Sequence, residues 1–285
     1  MKRLLAACLL ALALLLGSTV PASAQTLYGV TGAGGASSSL YTIDLTTGAA
    51  TLVGPTGFSH VTGLAFDPTT GVLYGHISAL FGSTPLTQLI TINPLTGVGT
   101  LVGHSGLQSP DMSFRADGTL FAWGEETDFN PFFDRLYTVD VGTGAATLVG
   151  TSSTASFRTG MAFATDGTLF LKSNLALFTL NPADGSSTSV GTITGVSTLH
   201  NALAFDSATN GYSIRREDGV SFLVAVDTVN LTAFEIGDMG VSDMSALAFD
   251  VAPIPEPGTL VLAGLALGTV AVTARRRLWR RRRKS

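Results

Sequence analysis

Residues Leu40–Gly54 have the sequence Leu-Tyr-Thr-Ile-Asp-Leu-Thr-Thr-Gly-Ala-Ala-Thr-Leu-Val-Gly. The first five residues have strand composition, Asp44–Gly48 has the composition of a tight turn, and Ala50–Gly54 is typical of a returning strand. The same pattern recurs at Leu89–Gly103, Leu136–Gly150 and Leu177–Gly191 and, in a weaker form, at Leu223–Gly237. The pattern predicts a chain built from repeated β-hairpins.

A second repeated segment follows each hairpin. It consists of Leu or Met, then Ala or Ser, then Phe and one further residue. Its copies are Leu64–Asp67, Met112–Arg115, Met161–Ala164, Leu203–Asp206 and Leu247–Asp250. Their first residues are 48, 49, 42 and 44 positions apart, and a third short strand, such as Leu73–Gly75, lies between the two kinds of segment. Four strands in each period of forty-odd residues are typical of a β-propeller blade. An open β-array or a β-sandwich is the alternative architecture.

The turns between these strands favour the same interpretation. Asp or Asn opens most of them and Gly closes them, as in Asp44–Gly48 and Asp67–Gly71. The Asp side chain can accept hydrogen bonds from backbone N–H groups of the turn, and Gly adopts the positive φ that the turn requires. Capping therefore explains the repeated aspartates better than calcium binding, which uses denser carboxylates.

The two ends of the repetitive body predict how the ring closes. The body begins with Leu27–Val30, a second-type strand without a first strand before it, and it ends with the unpaired first-type strand Leu247–Asp250. Pairing these two segments completes a fifth blade and protects edges that would otherwise remain open. The predicted fold is an all-β, five-bladed β-propeller closed by its N- and C-terminal strands, with an N-terminal signal peptide and a C-terminal transmembrane helix added.

Charge and cysteine content limit the function classes. Residues 25–251 contain 19 acidic and six basic side chains, a net charge of −13, although the whole chain has −4 because basic residues are concentrated at its ends. A strongly acidic body makes nucleic acid an improbable partner. The single cysteine, Cys8, lies outside the body, so disulfides, thiolate metal sites and a cysteine nucleophile are unavailable there. The four histidines lack metal-ligand spacing and no Gly-x-Ser-x-Gly motif occurs, so we predict no catalytic residues, metal or cofactor.

Residues 1–24 have the organisation of a secretory signal peptide. Lys2 and Arg3 form a basic start, an apolar run follows, and Ala22 and Ala24 fit a small-residue cleavage site that leaves Gln25 as the first mature residue. The pattern predicts export by the Sec machinery.

The predicted propeller domain, residues 25–251, is followed by a tail of three ordered parts in residues 252–285. Pro255, Glu256 and Pro257 form a stiff extended segment, residues 258–274 are uncharged, and residues 275–284 contain eight basic side chains. A helix over 258–274 is ~25 Å long against a bilayer core of ~30 Å, a marginal span. The basic cluster predicts that the tail end stays in the cytoplasm while the body lies on the far side of the inner membrane.

This tail resembles the PEP-CTERM protein-sorting signal of Gram-negative, exopolysaccharide-producing bacteria, with Ile254 where Val is usual. The resemblance implies recognition of Pro255, Glu256 and Pro257 by an exosortase-type membrane protease, removal of the tail, and delivery to the cell surface or extracellular matrix. A plain C-terminal membrane anchor is the alternative.

Polar residues just before the inner strands are the candidate ligand site of the propeller. They differ from blade to blade, unlike the turns, and we expect them at one rim of the central channel, where a small polar ligand such as a sugar could bind. A solvated rim without a ligand is the competing interpretation. The candidates are His60, Asp111, Arg158, His200, Asn201 and Asp243.

The sequence favours an exported, surface-sorted, non-enzymatic structural or interaction protein associated with the cell surface or with exopolysaccharide. The alternative is a secreted carbohydrate-active enzyme or sugar-binding propeller that uses the residues of the channel mouth. Paired carboxylates about 5–10 Å apart in one cavity would favour the enzyme.

Overall fold

The computed structural model describes residues 25–32, 37–81, 84–126, 135–152 and 159–250, and these residues form an all-β structure. Within these residues the structure has no helix with the length and apolar character needed to cross a membrane. The strands are β1 (Leu27–Thr31), β2 (Ser37–Ile43), β3 (Ala50–Ser59), β4 (Val61–Phe66), β5 (Leu73–Phe81), β6 (Thr84–Ile92), β7 (Gly99–His104), β8 (Leu107–Phe114), β9 (Leu120–Glu126), β10 (Arg135–Val139), β11 (Ala146–Thr151), β12 (Thr159–Phe163), β13 (Leu169–Ser173), β14 (Ala176–Leu180), β15 (Ser187–Thr192), β16 (Ala204–Phe205), β17 (Gly211–Glu217), β18 (Val220–Asp227), β19 (Thr232–Asp238) and β20 (Met244–Phe249).

These strands form five four-stranded antiparallel sheets, the five predicted blades. Blade 1 has the order β20-β1-β2-β3, and blades 2 to 5 are β4–β7, β8–β11, β12–β15 and β16–β19. The innermost strands β20, β4, β8, β12 and β16 contact one another in a closed circle. The five-bladed propeller predicted from the repeats is confirmed.

Ring closure occurs by the predicted pairing. Strand β1 pairs antiparallel with β20, with Leu27 opposite Phe249 and Gly29 opposite Leu247. The N–H of Asp250 then donates to the carbonyl of Thr26 at 3.0 Å. Residues more than two hundred positions apart therefore share one blade, and neither inner edge is left open.

The hydrophobic core consists of five clusters, each between two adjacent blades. In the cluster between blades 1 and 2, for example, Val30 and Leu40 pack with Leu64, Leu73 and Ile90. Because each blade is covered on both faces, its strands carry apolar side chains on both faces rather than on one.

An aromatic pair crosses each of the five interfaces between blades. The Phe that ends each inner strand contacts an aromatic ring on the second strand of the preceding blade, with ring centroids 5.3 to 5.5 Å apart and tilted or edge-on geometry. The pairs are Tyr28–Phe66, Tyr74–Phe114, Phe121–Phe163, Phe170–Phe205 and Tyr212–Phe249.

The repeated turns form as their composition predicts. Asp44 Oδ1 accepts hydrogen bonds from the N–H groups of Thr46 and Thr47 at 2.7 and 2.9 Å, and Gly48 has a φ of 79°. Asp140 makes the equivalent bonds to Gly142 and Thr143. Each carboxylate also accepts a hydrogen bond from a turn hydroxyl, that of Thr46 or of Thr143. The hydroxyl bond first, and then the N–H bonds, lower the pKa of Asp44 and Asp140 because they stabilise the charged carboxylate.

The glycine that ends each Leu-Val-Gly segment has a packing role between blades. A Cβ on Gly103, in blade 2, would overlap the carbonyl oxygen of Thr143 in the β10–β11 turn of blade 3, and Gly54 stands in the same relation to Thr96. The outer strand has a β-bulge at the residue before this glycine. In blade 2, for example, Leu89 lies opposite Gly103 and Ile90 lies opposite Leu101, so one outer-strand residue has no partner. The outer edge of each blade can therefore lie directly against the turn of the next.

Two elements differ from the regular repeat. Inner strand β16 has only two residues, because the segment before it is held by other contacts: His200 N–H donates to Ile214 O at 2.7 Å, and Ala202, with a φ of 81°, accepts from Ser213 Oγ. Strands β5 and β6 are nine residues each, so the central hairpin of blade 2 is longer than its counterparts.

The predicted signal peptide with Ala22 and Ala24, and the tail with Pro255, Glu256, Pro257, the 258–274 helix and the basic end, lie outside the described residues. They stay predictions as far as the structure is concerned.

Candidate functional site

The rim at which the inner strands begin contains most of the predicted ligand residues. His60 and Asp243 immediately precede β4 and β20, His200 and Asn201 precede β16, and all four are partly buried. Arg158 lies outside the described residues.

His60 and Asp243 occupy equivalent positions with the same backbone geometry. Their φ values are 59° and 58°. The carbonyl of His60 accepts a hydrogen bond from the N–H of Ser78, and the carbonyl of Asp243 accepts one from the N–H of Gly32, both at 3.1 Å. The left-handed conformation is therefore a repeated way of entering an inner strand, shared by an imidazole in blade 2 and a carboxylate in blade 1.

Asp111 lies within β8 rather than before it, and its side chain is enclosed by the protein. Its two carboxylate oxygens accept the N–H groups of Met112 at 2.8 Å and Met161 at 2.9 Å, and the Leu203 N–H is a further donor. Burial raises the pKa of Asp111 to about 8, against the opposing effect of these N–H groups and of Lys172. The carboxylate thus joins blades 3, 4 and 5 beside the channel axis.

Lys172 on β13 is the cation beside this carboxylate, and sequence analysis did not select it. Its side chain is fully buried, and Nζ donates to the carbonyl of His200 in blade 5. A signal was available, because Lys172 is the one lysine of the body and stands in the apolar strand Leu169–Ser173. Buried charges are retained where they are paired and hydrogen-bonded, as they are here.

Hydroxyl groups of the inner strands make further links between blades. Ser245 Oγ is 2.9 Å from Val30 O and 2.7 Å from Val61 O, and Ser113 Oγ accepts the Phe163 N–H at 3.0 Å. The hydroxyls of Ser113 and Ser245 thus bond to backbone groups of neighbouring blades.

The opposite mouth of the channel lies where the inner strands end. A cavity of about 150 Å³ is lined by all five inner strands, with the rings of Phe66, Phe163 and Phe205 among its walls. Gln25 lies at its edge, where Nε2 donates to Asp250 O at 2.9 Å and Oε1 accepts the Ser207 N–H at 2.6 Å. The residue predicted to begin the mature chain therefore bridges blades 1 and 5.

A second cavity, of about 340 Å³, is polar and opens beside blade 1. One wall is formed by the ends of β1 and β2 and the other by the loop that leads into β20. The lining residues are Thr31, Gly32, Ser37, Ser39, Tyr41, Gly240, Val241, Ser242 and Asp243. Of the predicted rim residues that the structure describes, Asp243 alone lines this cavity.

Among the described lining residues, Asp250 is the one carboxylate of the first cavity and Asp243 is the one carboxylate of the polar cavity. The paired carboxylates of retaining and inverting glycosidases are therefore not found among these lining residues. Among the residues that the structure describes, no group of three or more His, Cys, Asp or Glu side chains is arranged to hold a metal ion.

Comparison with known proteins adds one decisive observation. Residues 253–277 match the family described as "PEP-CTERM protein-sorting motif". The chain carries a PEP-CTERM sorting motif. The PEP-CTERM motif implies processing by an exosortase and indicates export through the membrane toward the cell surface. No curated protein sequence is significantly similar to the chain.

Several solved structures are similar to the body at low sequence identity. A chain of a nidogen/laminin complex has a TM-score of 0.51 and 12% identity over 80% of this chain and 98% of that one. TolB from Acinetobacter baumannii has a TM-score of 0.49 and 12% identity over 85% and 70%. A putative 6-phosphogluconolactonase from Bacteroides fragilis has 0.46 and 11% over 81% and 99%. At such identities the likeness concerns the fold alone.

Proposed function

We propose that this protein is a non-catalytic interaction module of the cell surface, exported by Sec and released from the inner membrane by exosortase. The observation that carries the proposal is the PEP-CTERM motif at 253–277, in a chain that begins with a signal-peptide pattern. A closed propeller suits display outside the cell, because pairing of β1 with β20 leaves no inner sheet edge for unwanted association.

The electrostatic character of the body defines the partners that it suits. Residues 25–251 carry a net charge of −13, which disfavours anionic surfaces and nucleic acid. An uncharged, hydroxyl-rich partner such as an extracellular polysaccharide does not oppose this charge. We therefore propose that the body associates with the extracellular matrix after the tail has been removed.

Replacement of Pro255, Glu256 and Pro257 by alanines tests the sorting step. We expect the variant to be exported normally, because residues 1–24 are unchanged, but to remain in the inner membrane with its tail attached. Prolines favour an extended segment that a protease can bind, and alanines would allow the predicted 258–274 helix to extend through it. The measurement is the mass and the membrane or surface fraction of the chain in a host that contains exosortase.

Thr269→Ala is the matched control, since it leaves the three motif residues intact and keeps the apolar segment apolar. We expect this variant to be processed like the wild type. A wild-type mature chain that still carries Arg275–Lys284 would overturn the proposal and leave the tail as a simple anchor.

A further inference from the structure

The polar cavity beside blade 1 has two walls that come from distant parts of the chain. Thr31, Ser37 and Tyr41 are on the β1–β2 side, and Ser242 and Asp243 are on the loop before β20. The Gly32 N–H donates to Asp243 O at 3.1 Å and joins the walls, and Thr31 Oγ1 accepts the Ser39 N–H at 3.0 Å and fixes the hairpin. The cavity is thus held open by backbone contacts. Its volume, about 340 Å³, is in the range of small-molecule sites.

The polar groups that line this cavity are not used by the protein. Within the described ranges, the carboxylate of Asp243 and the hydroxyls of Ser37, Ser39, Tyr41 and Ser242 make no hydrogen bond or ion pair. Asp243 differs in this respect from the turn aspartates, such as Asp44 and Asp227, whose carboxylates accept N–H groups of their own turns. A carboxylate and four hydroxyls remain available to a ligand.

The chemistry of these groups selects the class of ligand. Tyr41 packs against the core between blades 5 and 1, so a partly exposed aromatic ring is held in the wall beside the hydroxyls. An aromatic surface suits the C–H face of a pyranose ring, and a carboxylate accepts strong hydrogen bonds from its hydroxyls. None of the described lining residues is a lysine or an arginine, and the body is strongly acidic, so a uronate, sulfate or phosphate would be repelled.

We propose that this cavity binds a neutral saccharide, with Asp243 as the principal hydrogen-bond acceptor and Tyr41 as the stacking surface. This inference rests on the proposed function and names its ligand class. Because Asp243 is the single carboxylate among the described residues that line the cavity, the site holds the sugar and does not hydrolyse it by the two-carboxylate mechanism.

Isothermal titration of the full chain tests the proposal. The chain is kept in a zwitterionic detergent without a sugar headgroup, because an alkyl glycoside would compete for the site. The probes are neutral glucose, mannose and galactose tetrasaccharides, with tetragalacturonate as the anionic comparison. We expect at least one neutral tetrasaccharide to bind and tetragalacturonate to bind at least tenfold more weakly.

Asp243→Gly is the decisive variant, because glycine adopts the φ of 58° at this position easily and the fold is retained. We expect its affinity for the neutral sugar to fall by about tenfold or more, as for loss of a hydrogen bond to a charged group. Asp218→Gly is the matched control: it removes a carboxylate from an exposed residue with a φ of 49°, in the β17–β18 turn, and should leave binding unchanged.

Three results would overturn the inference: no neutral tetrasaccharide binds at millimolar concentration, tetragalacturonate binds as well as the neutral sugars, or Asp243→Gly binds like the wild type. The proposed function is judged separately by tail processing. A chain that is processed and reaches the surface but binds no neutral sugar refutes this inference alone, whereas an unprocessed chain refutes the proposed function whatever it binds.

Discussion

Asp111 shows how one side chain serves three blades. Its carboxylate accepts N–H groups from its own strand, from Met161 in blade 4 and from Leu203 in blade 5, beside the cation of Lys172. Each buried N–H that loses its acceptor contributes a desolvation cost, and a buried charge without its partner costs more. The residue therefore matters more for the ring than any exposed aspartate.

The substitution Asp111→Asn tests this role at the scale of one residue. The amide keeps the shape of the side chain but directs an NH₂ group at backbone donors, and it leaves Lys172 without its neighbouring acid. We expect a loss of about 2–4 kcal/mol in the free energy of unfolding, measured by urea denaturation.

Asp117→Asn is the comparison, because Asp117 is exposed and paired with Arg115 at 2.6 Å on the surface. Surface pairs contribute little, so we expect only a small change in stability. Equal effects of the two substitutions would show that Asp111 does not link the blades.

At the scale of the element, the repeated hairpin carries its own contact with the next blade. The outer-strand glycine follows a bulge and packs against the glycine-closed turn of the neighbouring hairpin. This contact joins Gly54 to Gly97 and Gly103 to Gly144. The interface between blades 4 and 5 departs from this rule, since Gly191 there meets Leu231.

Gly103→Ala tests the contact. The added methyl group would overlap the carbonyl oxygen of Thr143, which is backbone and cannot rotate away, so we expect a loss of about 1–3 kcal/mol, seen as a lower Tm. Gly142→Ala is the control, because a Cβ there is 3.4 Å from one side-chain oxygen of Asp140 and meets nothing else nearby. A Tm for Gly103→Ala equal to that of the control would contradict the packing role.

At the scale of the whole molecule, stability depends on closure of the ring. Strand β20 supplies the inner strand of blade 1, contacts β4 and β16, and contributes Leu247 and Phe249 to the core between blades 5 and 1. Without β20, the backbone groups of β1 and the apolar faces of two neighbouring blades would be exposed.

Truncation tests closure directly. A chain that ends at Asp243 lacks β20, whereas a chain that ends at Val251 keeps every described strand and serves as the control. We expect the shorter chain to lose the cooperative thermal transition or to melt far below the control, as followed by circular dichroism. Melting within a couple of degrees of the control would refute closure by β20 as a source of stability.

The sequence alone determined the strand periodicity, the number of blades, the turns, the closing pair of strands and the sorting motif in residues 253–277. These features are local or repetitive. An aspartate accepts hydrogen bonds from the N–H groups two and three residues ahead of it, and a strand pairs with the next strand of its own hairpin. A repeat shows its period without any knowledge of packing.

Tertiary structure decided which side chains meet. Asp111 was predicted as a solvent-facing rim residue, yet the structure buries it against backbone groups 50 and 92 positions farther along the chain, at Met161 and Leu203. The polar cavity likewise joins Tyr41 to Asp243 across the closing blade. Neither arrangement has a local signal, because the ring geometry sets these distances: which blades become neighbours, how far each inner strand extends toward the axis, and which carboxylate is left with its oxygens facing water.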